Sequence, residues 1–218
     1  MGNSRCIFSN QESVHKKLEA IVQNHATSEY LKPVSDFDMI AFAKVNDQVQ
    51  KCKCDAIILD SGCGTGFSTL FLAQKYPDCL VIGLDKSMVR LQKTRSKEIP
   101  ENVVFTRADQ FDFWRLVADS NWHVRHHYIL YPNPWPKKAH IKRRIYGHPL
   151  FVVLPRITNN IEIRSNWLMY VEEFAIAWTI LTEKKLVVER IDPQQPISLF
   201  EKKFQESGHP LFRLCLQE

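Results

Sequence analysis

Five short apolar runs, most of them followed by a stretch with helical spacing, constrain this chain more than anything in its composition. AIILD (Ala56–Asp60) leads into Phe67–Tyr76, LVIGLD (Leu80–Asp85) into Ser87–Arg95, and NVVFTRAD (Asn102–Asp109) into Gln110–Ala118. HYILYPN (His127–Asn133) is a fourth run and IEIRS (Ile161–Ser165) a fifth, the latter followed by a helical pattern from Leu168 to Leu181. Strands that alternate with helices at this pitch pair in parallel, with helices on both faces of the sheet. The end of the chain differs. LVVER (Leu186–Arg190) and LFRLCL (Leu211–Leu216) are joined through a proline-bearing segment and the short helix-like FEKKF (Phe200–Phe204), which fits an antiparallel closing strand. The expected architecture is an open α/β sheet of seven strands, mostly parallel, with an antiparallel last strand.

Residues 1–50 fall outside this rhythm and carry no glycine after Gly2. Val14, Leu18, Ile21 and Val22 suggest a helix over Glu12–Gln23, and Asp36–Val49 a second, capped by Ser35 or Asp36. The expected organisation is a helical appendage over residues 1–50, covering a sheet edge or the mouth of a site, on one domain over 51–218. Apolar residues at 44% and charged residues at 24% suit a globular chain rather than a disordered one. No apolar run approaches the roughly 20 residues of a membrane span, and no signal-peptide pattern precedes the cysteines. Cys6, Cys52, Cys54, Cys63, Cys79 and Cys215 lack zinc-ligand spacing, so free thiols, no metal and a cytoplasmic protein are expected. The start MGNSRC has Cys6 where a myristoylation signal wants Ser or Thr, and lipidation is set aside.

In doubly wound sheets, ligands bind outside the carboxyl ends of the strands. Asp60, Asp85 and Asp109 end three of the runs, and the first is followed at once by SGCGTG, with Gly62, Gly64 and Gly66. Glycine lets backbone approach a ligand closely and takes positive φ without steric cost. Asp85 lies where a carboxylate accepts ribose hydroxyls, and Asp109 where one meets the exocyclic amine of an adenine. Lys86 and Gln110 follow those two aspartates and share their turns. The spacing G-x-G-x-G is not that of dinucleotide binders, and no Lys-Ser/Thr of a phosphate loop follows. A ligand with adenosine and no phosphates suits it better. Cys63 inside the turn reads simply as a small residue.

The fourth run exits into YPNPWPKKAHIKRR (Tyr131–Arg144). Pro132, Pro134 and Pro136 fix φ and make a stiff corner, and Trp135 is open either to stacking on a substrate or to packing. Lys137, Lys138, His140, Lys142, Arg143 and Arg144 form a basic comb suited to a phosphate backbone, more telling than the net charge of +5. His126 and His127, just before, read as surface residues, and WHVRHHY (Trp122–Tyr128) offers no metal spacing.

DSGCGTG followed by GLD resembles the binding signature of class I S-adenosylmethionine (SAM) methyltransferases, whose fold is Rossmann-like. PNPWPKKAHIKRR is similar to the hallmark of the tRNA (guanine-N7)-methyltransferase family, F-P-D-P-W-P-K-K-R-H-x-K-R-R. SLFEKKFQESGHPLFRL (Ser198–Leu214) resembles that family's T-x-Y/F-E-K-K-F-x-x-x-G-x-P-I-Y-R-L, and RSNW (Arg164–Trp167) stands where it has T-D-N or T-D-W. The resemblance runs in the family's order from Asp60 to Leu214. It implies SAM as methyl donor, a guanine in tRNA as acceptor, and a monomer or homodimer with no membrane attachment. Carried over by position, Asp60, Asp85 and Asp109 hold SAM and Asn133 faces the reacting centre. Lys137, Asn166, Ser198 and Glu201 fix the target nucleotide, and residues 139–144 contact the RNA backbone.

The chain departs from the family in its acceptor half. Asn133 and Asn166 replace two family aspartates, Ala139 replaces a basic residue, and RITNNIE stands in place of a Pro-Gly-Gly turn. Glu201 is left as the acceptor-side carboxylate. Two asparagines, which also donate, open the alternatives of another RNA site, a small acceptor, or a protein that binds RNA or SAM without catalysis.

Overall fold

The computed structural model describes residues 4–94 and 98–216. In chain order the first elements are α1 (Leu18–Thr27), α2 (Asp36–Lys51), β1 (Ala56–Ser61), α3 (Phe67–Lys75), β2 (Cys79–Asp85) and α4 (Met88–Gln92). Then come β3 (Val103–Arg107), α5 (Gln110–Ala118), β4 (Val124–Leu130), α6 (Leu154–Ile157), β5 (Ile161–Ser165) and α7 (Leu168–Thr182). The last are β6 (Leu186–Ile191), α8 (Leu199–Glu206) and β7 (Leu211–Leu216). Three 3-10 segments over 138–153 precede α6. The seven strands form a mostly parallel sheet whose last strand is antiparallel to its neighbours. The α4 helix is shorter than its sequence pattern, and Arg95 lies outside the described residues, as do the first three residues of the lipidation-like start.

The chain divides into two compact units, Lys32–Leu130 and Met1–Leu31 with Tyr131–Glu218. In the first, the strand order is β3-β2-β1-β4, all parallel, with Ile58 opposite Val81 and Asp60 opposite Gly83. Both β1 and β2 are buried along their whole length, which is why they read as continuous apolar runs rather than alternating ones. Ile58, Leu59, Val81, Ile82 and Leu84 have no exposed surface, and each such side chain contributes about 1.5–3 kcal/mol relative to exposure. Helix α2 packs on α5, with Phe42 stacked on Trp122 and edge-on to Phe113.

His127 corrects the sequence reading: it is fully buried on β4, not on the surface. Its Nε2 lies 2.8 Å from Ser61 Oγ, which also accepts from Trp114 Nε1 at 2.9 Å. Burial drives its pKa down to about 3, so the ring is neutral. Cys52 and Cys54 lie side by side across one residue, with Cα atoms 5.2 Å apart. Cys6, Cys63, Cys79 and Cys215 take no part in a disulfide among the described residues.

In the second unit, β7 lies between β5 and β6, antiparallel to both. Tyr146, Phe151, Tyr170, Phe174 and Trp178 pack their rings against one another in its core. Helix α1 packs on α7 but begins six residues later than its apolar spacing suggests. The cause is Glu173 on α7: its Oε1 takes Gln11 Nε2 and the His15 N–H, both at 2.6 Å, and keeps the chain non-helical until Lys17.

Candidate active site

The unit Lys32–Leu130 carries the residues that the sequence assigns to the cofactor. Gly62, Gly64 and Gly66 all lie at positive φ, between 60° and 79°. A Cβ at Gly66 would lie 2.6 Å from the Phe105 ring and 2.8 Å from Thr94 Cγ2, so packing alone requires glycine there. At Gly62 and Gly64 a Cβ would meet nothing within 4 Å among the described residues, which leaves open space above the turn.

Asp85 is the clasp of this turn. Its Oδ2 accepts from the Gly64 N–H at 2.9 Å, and its Oδ1 accepts from the Ser87 N–H at 2.7 Å and pairs with Arg90 Nη2 at 3.1 Å. Asp60 is buried beneath α3, where its Oδ2 accepts from Ser68 Oγ and Thr69 Oγ1, both at 2.7 Å. Burial pushes the Asp60 carboxyl up to about 6, against the pull of those two hydroxyls. Its Oδ1 has no partner among the described residues, a buried acceptor available to a donor on a bound molecule. Asp109 caps α5, taking the Phe111 N–H on Oδ1 at 3.0 Å, while its Oδ2 meets Lys86 Nζ at 2.9 Å. Lys86 is 79% exposed and Gln110 opens α5 beside it. An open glycine turn with an unpartnered buried acceptor fits a nucleoside-bearing ligand such as SAM. Burial and the nearby Asp60 and Asp85 push the Cys63 thiol well up, so it is inert.

The other unit carries the residues that the sequence assigns to the acceptor. Tyr131 and Trp135 both have positive φ, at 52° and 44°, conformations that need outside support in residues with bulky side chains. Tyr131 is held by its hydroxyl, which donates to Glu201 Oε2 at 2.7 Å, and by its N–H to the Arg164 carbonyl at 2.8 Å. Trp135 sits under Arg143, whose guanidinium lies 4.8 Å from the ring centroid, and edge-on to His140 at 5.6 Å. Packing therefore engages the indole. Asn133 is exposed, and its Oδ1 accepts from the Trp135 N–H at 3.3 Å.

Glu201 differs from the sequence expectation. It has no exposed surface, and its carboxylate takes Arg164 Nη1 at 2.9 and 3.0 Å, the Tyr131 hydroxyl, and the Ile197 N–H at 2.9 Å. It is an anchor for the proline corner rather than an open carboxylate. Ser198 caps α8 by accepting the Glu201 N–H at 3.1 Å. Asn166 Nδ2 lies 3.0 Å from His209 Nδ1, whose other nitrogen lies 3.1 Å from the Ser4 carbonyl.

The comb keeps four exposed cations: Lys137, Lys138, Lys142 and Arg143. His140 is half-buried, and burial with the neighbouring Arg143 and Lys137 charges holds its imidazole below the usual value. Arg144 does not belong to the comb. It has no exposed surface, pairs with Glu173 at 2.5 Å, and donates to the Trp135 carbonyl at 3.2 Å. Sequence spacing could not separate it from its neighbours, because its partner lies 29 residues away on α7. Among the described residues no group of three or more His, Cys, Asp or Glu side chains could hold a metal, and no helix is long and apolar enough to cross a membrane.

A family model described as "Putative methyltransferase" matches residues 55–214. The tRNA (guanine-N(7)-)-methyltransferase of Aquifex aeolicus is 26% identical over 167 residues, 73% of this chain and 56% of that protein. That of Mycoplasma genitalium is 26% identical over 194 residues, 79% of this chain and 89% of that one. Among solved structures, an antibiotic-related methyltransferase superposes with a TM-score of 0.56 at 18% identity, over 84% of this chain and 95% of that chain. The 16S rRNA methyltransferase KamB gives 0.56 at 16%, over 94% and 97%. These two likenesses establish the class I methyltransferase fold. With its glycine turn, its three strand-end aspartates and a match over most of its length, the chain belongs to the family described as "Putative methyltransferase".

Proposed function

We propose that the protein is a SAM-dependent methyltransferase that transfers a methyl group to N7 of a guanine in tRNA, in the cytoplasm, as a monomer or homodimer. On this reading residues 51–218 form the methyltransferase domain and the first fifty are an addition to it. The observation that carries it is the clasp between Asp85 and the Gly64 N–H, which presents an open turn of left-handed glycines between two strand-end carboxylates. Asp85, Asp109 and the unpartnered Asp60 oxygen are the groups that would hold SAM. Bound there, SAM supplies an electrophilic methyl group on a sulfonium.

Guanine N7 carries an available lone pair, so no proton has to leave before transfer. The chain's work is alignment, which can supply much of the barrier reduction, and tolerance of a product that becomes cationic. The stiff corner over residues 132–136, anchored through Tyr131 to Glu201, serves alignment. Lys137, Lys138, Lys142 and Arg143 grip the RNA backbone, and Trp135 stiffens the corner they spring from.

One observation favours a second reading, transfer to another RNA position. Asn133 and Asn166 stand for family aspartates, and Glu201 is fully engaged by Arg164, Tyr131 and Ile197. The acceptor side therefore offers amides where guanine's N1–H and amine would meet carboxylates. Transfer of labelled methyl from SAM to unmodified tRNA, mapped by borohydride–aniline cleavage at 7-methylguanosine, tests both. Cleavage at one guanine supports the first reading and label without cleavage the second. No label in any RNA contradicts both.

A further inference from the structure

The first turn of α2 lies in the segment that the sequence sets apart as an appendage, yet it reaches the turns that carry Asp109 and Asp85. Asp38 is buried, and its Oδ1 accepts from the Asp109 N–H at 2.8 Å. Its Oδ2 accepts from Ser35 Oγ at 2.6 Å. The exchange is reciprocal, because the Ser35 N–H donates to Asp112 Oδ2 on the first turn of α5 at 3.1 Å. Ser35 and Asp109 are also the two N-caps, so two helix starts are locked to each other through their capping residues. A second link runs through Arg107. Its guanidinium lies 5.0 Å from the Phe37 ring centroid, and its Nε donates to the Lys86 carbonyl at 3.2 Å. The α2 turn thus holds the Asp109 turn directly and the Lys86 turn through one arginine.

We propose that Asp38 is a positioning residue for the adenine end of the cofactor site, fixing the Asp109 turn through its backbone N–H so that recognition of a 6-aminopurine depends on α2. This rests on the SAM reading above. The Asp109 N–H precedes the α5 ladder and gains its acceptor from Asp38. The Asp109 carboxylate has one oxygen committed to its own helix and one, Oδ2, facing Lys86. Lys86 is mostly exposed and free to swing away, which leaves Oδ2 to an exocyclic amine, provided that the turn holds its direction. Arg90 and Ser87 brace Asp85 within its own turn, so the ribose side does not need Asp38. The dependence on Asp38 is therefore confined to the base.

Calorimetry on the full chain with S-adenosylhomocysteine and its inosine counterpart, which lacks the 6-amino group, tests this. The wild type favours the adenosine compound. Asp38→Ala weakens that compound about tenfold, the scale of one well-placed hydrogen bond, and the inosine compound little, so the preference collapses. Asp38→Asn, which keeps an oxygen acceptor, restores most of it. Ser35→Ala shows a smaller loss of the same kind and decides the matter if Asp38→Ala does not fold. An unchanged preference, or an equal loss for both ligands, overturns the proposal and leaves Asp38 a stabilising residue only. A wild type that binds neither compound refutes the SAM reading, and this inference with it.

Discussion

Arg144 and Glu173 form an ion pair in which neither side chain has exposed surface, Nη1 to Oε2 at 2.5 Å. The same Oε2 accepts from the Tyr146 hydroxyl at 2.7 Å, and Oε1 holds Gln11 and His15. One carboxylate thus ties the root of the basic loop, the core of its unit and the N-terminal segment together. Removing one member of such a pair leaves an uncompensated buried charge. Glu173→Ala is expected to cost about 3–5 kcal/mol in urea unfolding. A loss below roughly 1 kcal/mol would contradict the account of the network, since that is the value of a surface pair.

The exposed comb makes a different prediction from its buried neighbour. Lys142→Ala combined with Arg143→Ala removes two cations from the surface without touching the core. RNA binding weakens, and the slope of log affinity against log salt becomes shallower by about 1.5. SAM affinity is unchanged. Filter binding across a salt series reads both quantities, and an unaltered slope would make the comb a solvated face.

The fold was legible because buried parallel strands announce themselves as apolar runs, and Ala56–Asp60 and Ile161–Ser165 agree with β1 and β5 to within a residue. The start of α1 was not legible. Val14 and Leu18 have helical spacing, but Glu173, more than 150 residues away, captures Gln11 and His15 and overrides it. The same distance hid the fate of Arg144 and Glu201. A charged residue in a motif looks alike whether it faces solvent or a buried partner, and only the tertiary contact separates Lys142 from Arg144. Asp38 gave no sequence signal beyond its place three residues after Ser35, the spacing of a capping box.

Two buried groups set opposing pH dependences. The His127 pKa is lowered to about 3, so the unfolded chain binds its proton first as pH falls below about 6.5, and stability is lost between there and 3. The Asp60 pKa is raised to about 6, so the folded chain binds that proton first, and stability is gained as pH falls from 6 towards 4. The histidine shift is the larger, and the net expectation is acid destabilisation on the order of 1 kcal/mol between pH 7 and 4 from this pair. His127→Gln keeps a partner for Ser61 and removes the titration. Its stability should rise rather than fall over that range, measured by thermal unfolding at each pH; the same acid loss as wild type would count against the buried neutral imidazole.

Asn133→Asp restores a charge at the exposed corner while preserving the oxygen that takes the Trp135 N–H. A carboxylate about 4 Å from a developing cation at an effective dielectric near 20 is worth up to about 4 kcal/mol, a ceiling of roughly three decades in rate. Solvent at this exposed position reduces that, and a gain of about tenfold in N7 transfer is expected. A slower variant would mean that the asparagine amide has a role of its own in reading the acceptor.

The proposed SAM site is the turn clasped by Asp85. Calorimetric titration of SAM into the wild-type chain and into Asp85→Ala measures it directly. One site per chain is expected in the wild type and no detectable binding in the variant, with the fold of the variant verified by circular dichroism. Undiminished affinity in Asp85→Ala, or no binding in the wild type, would contradict it.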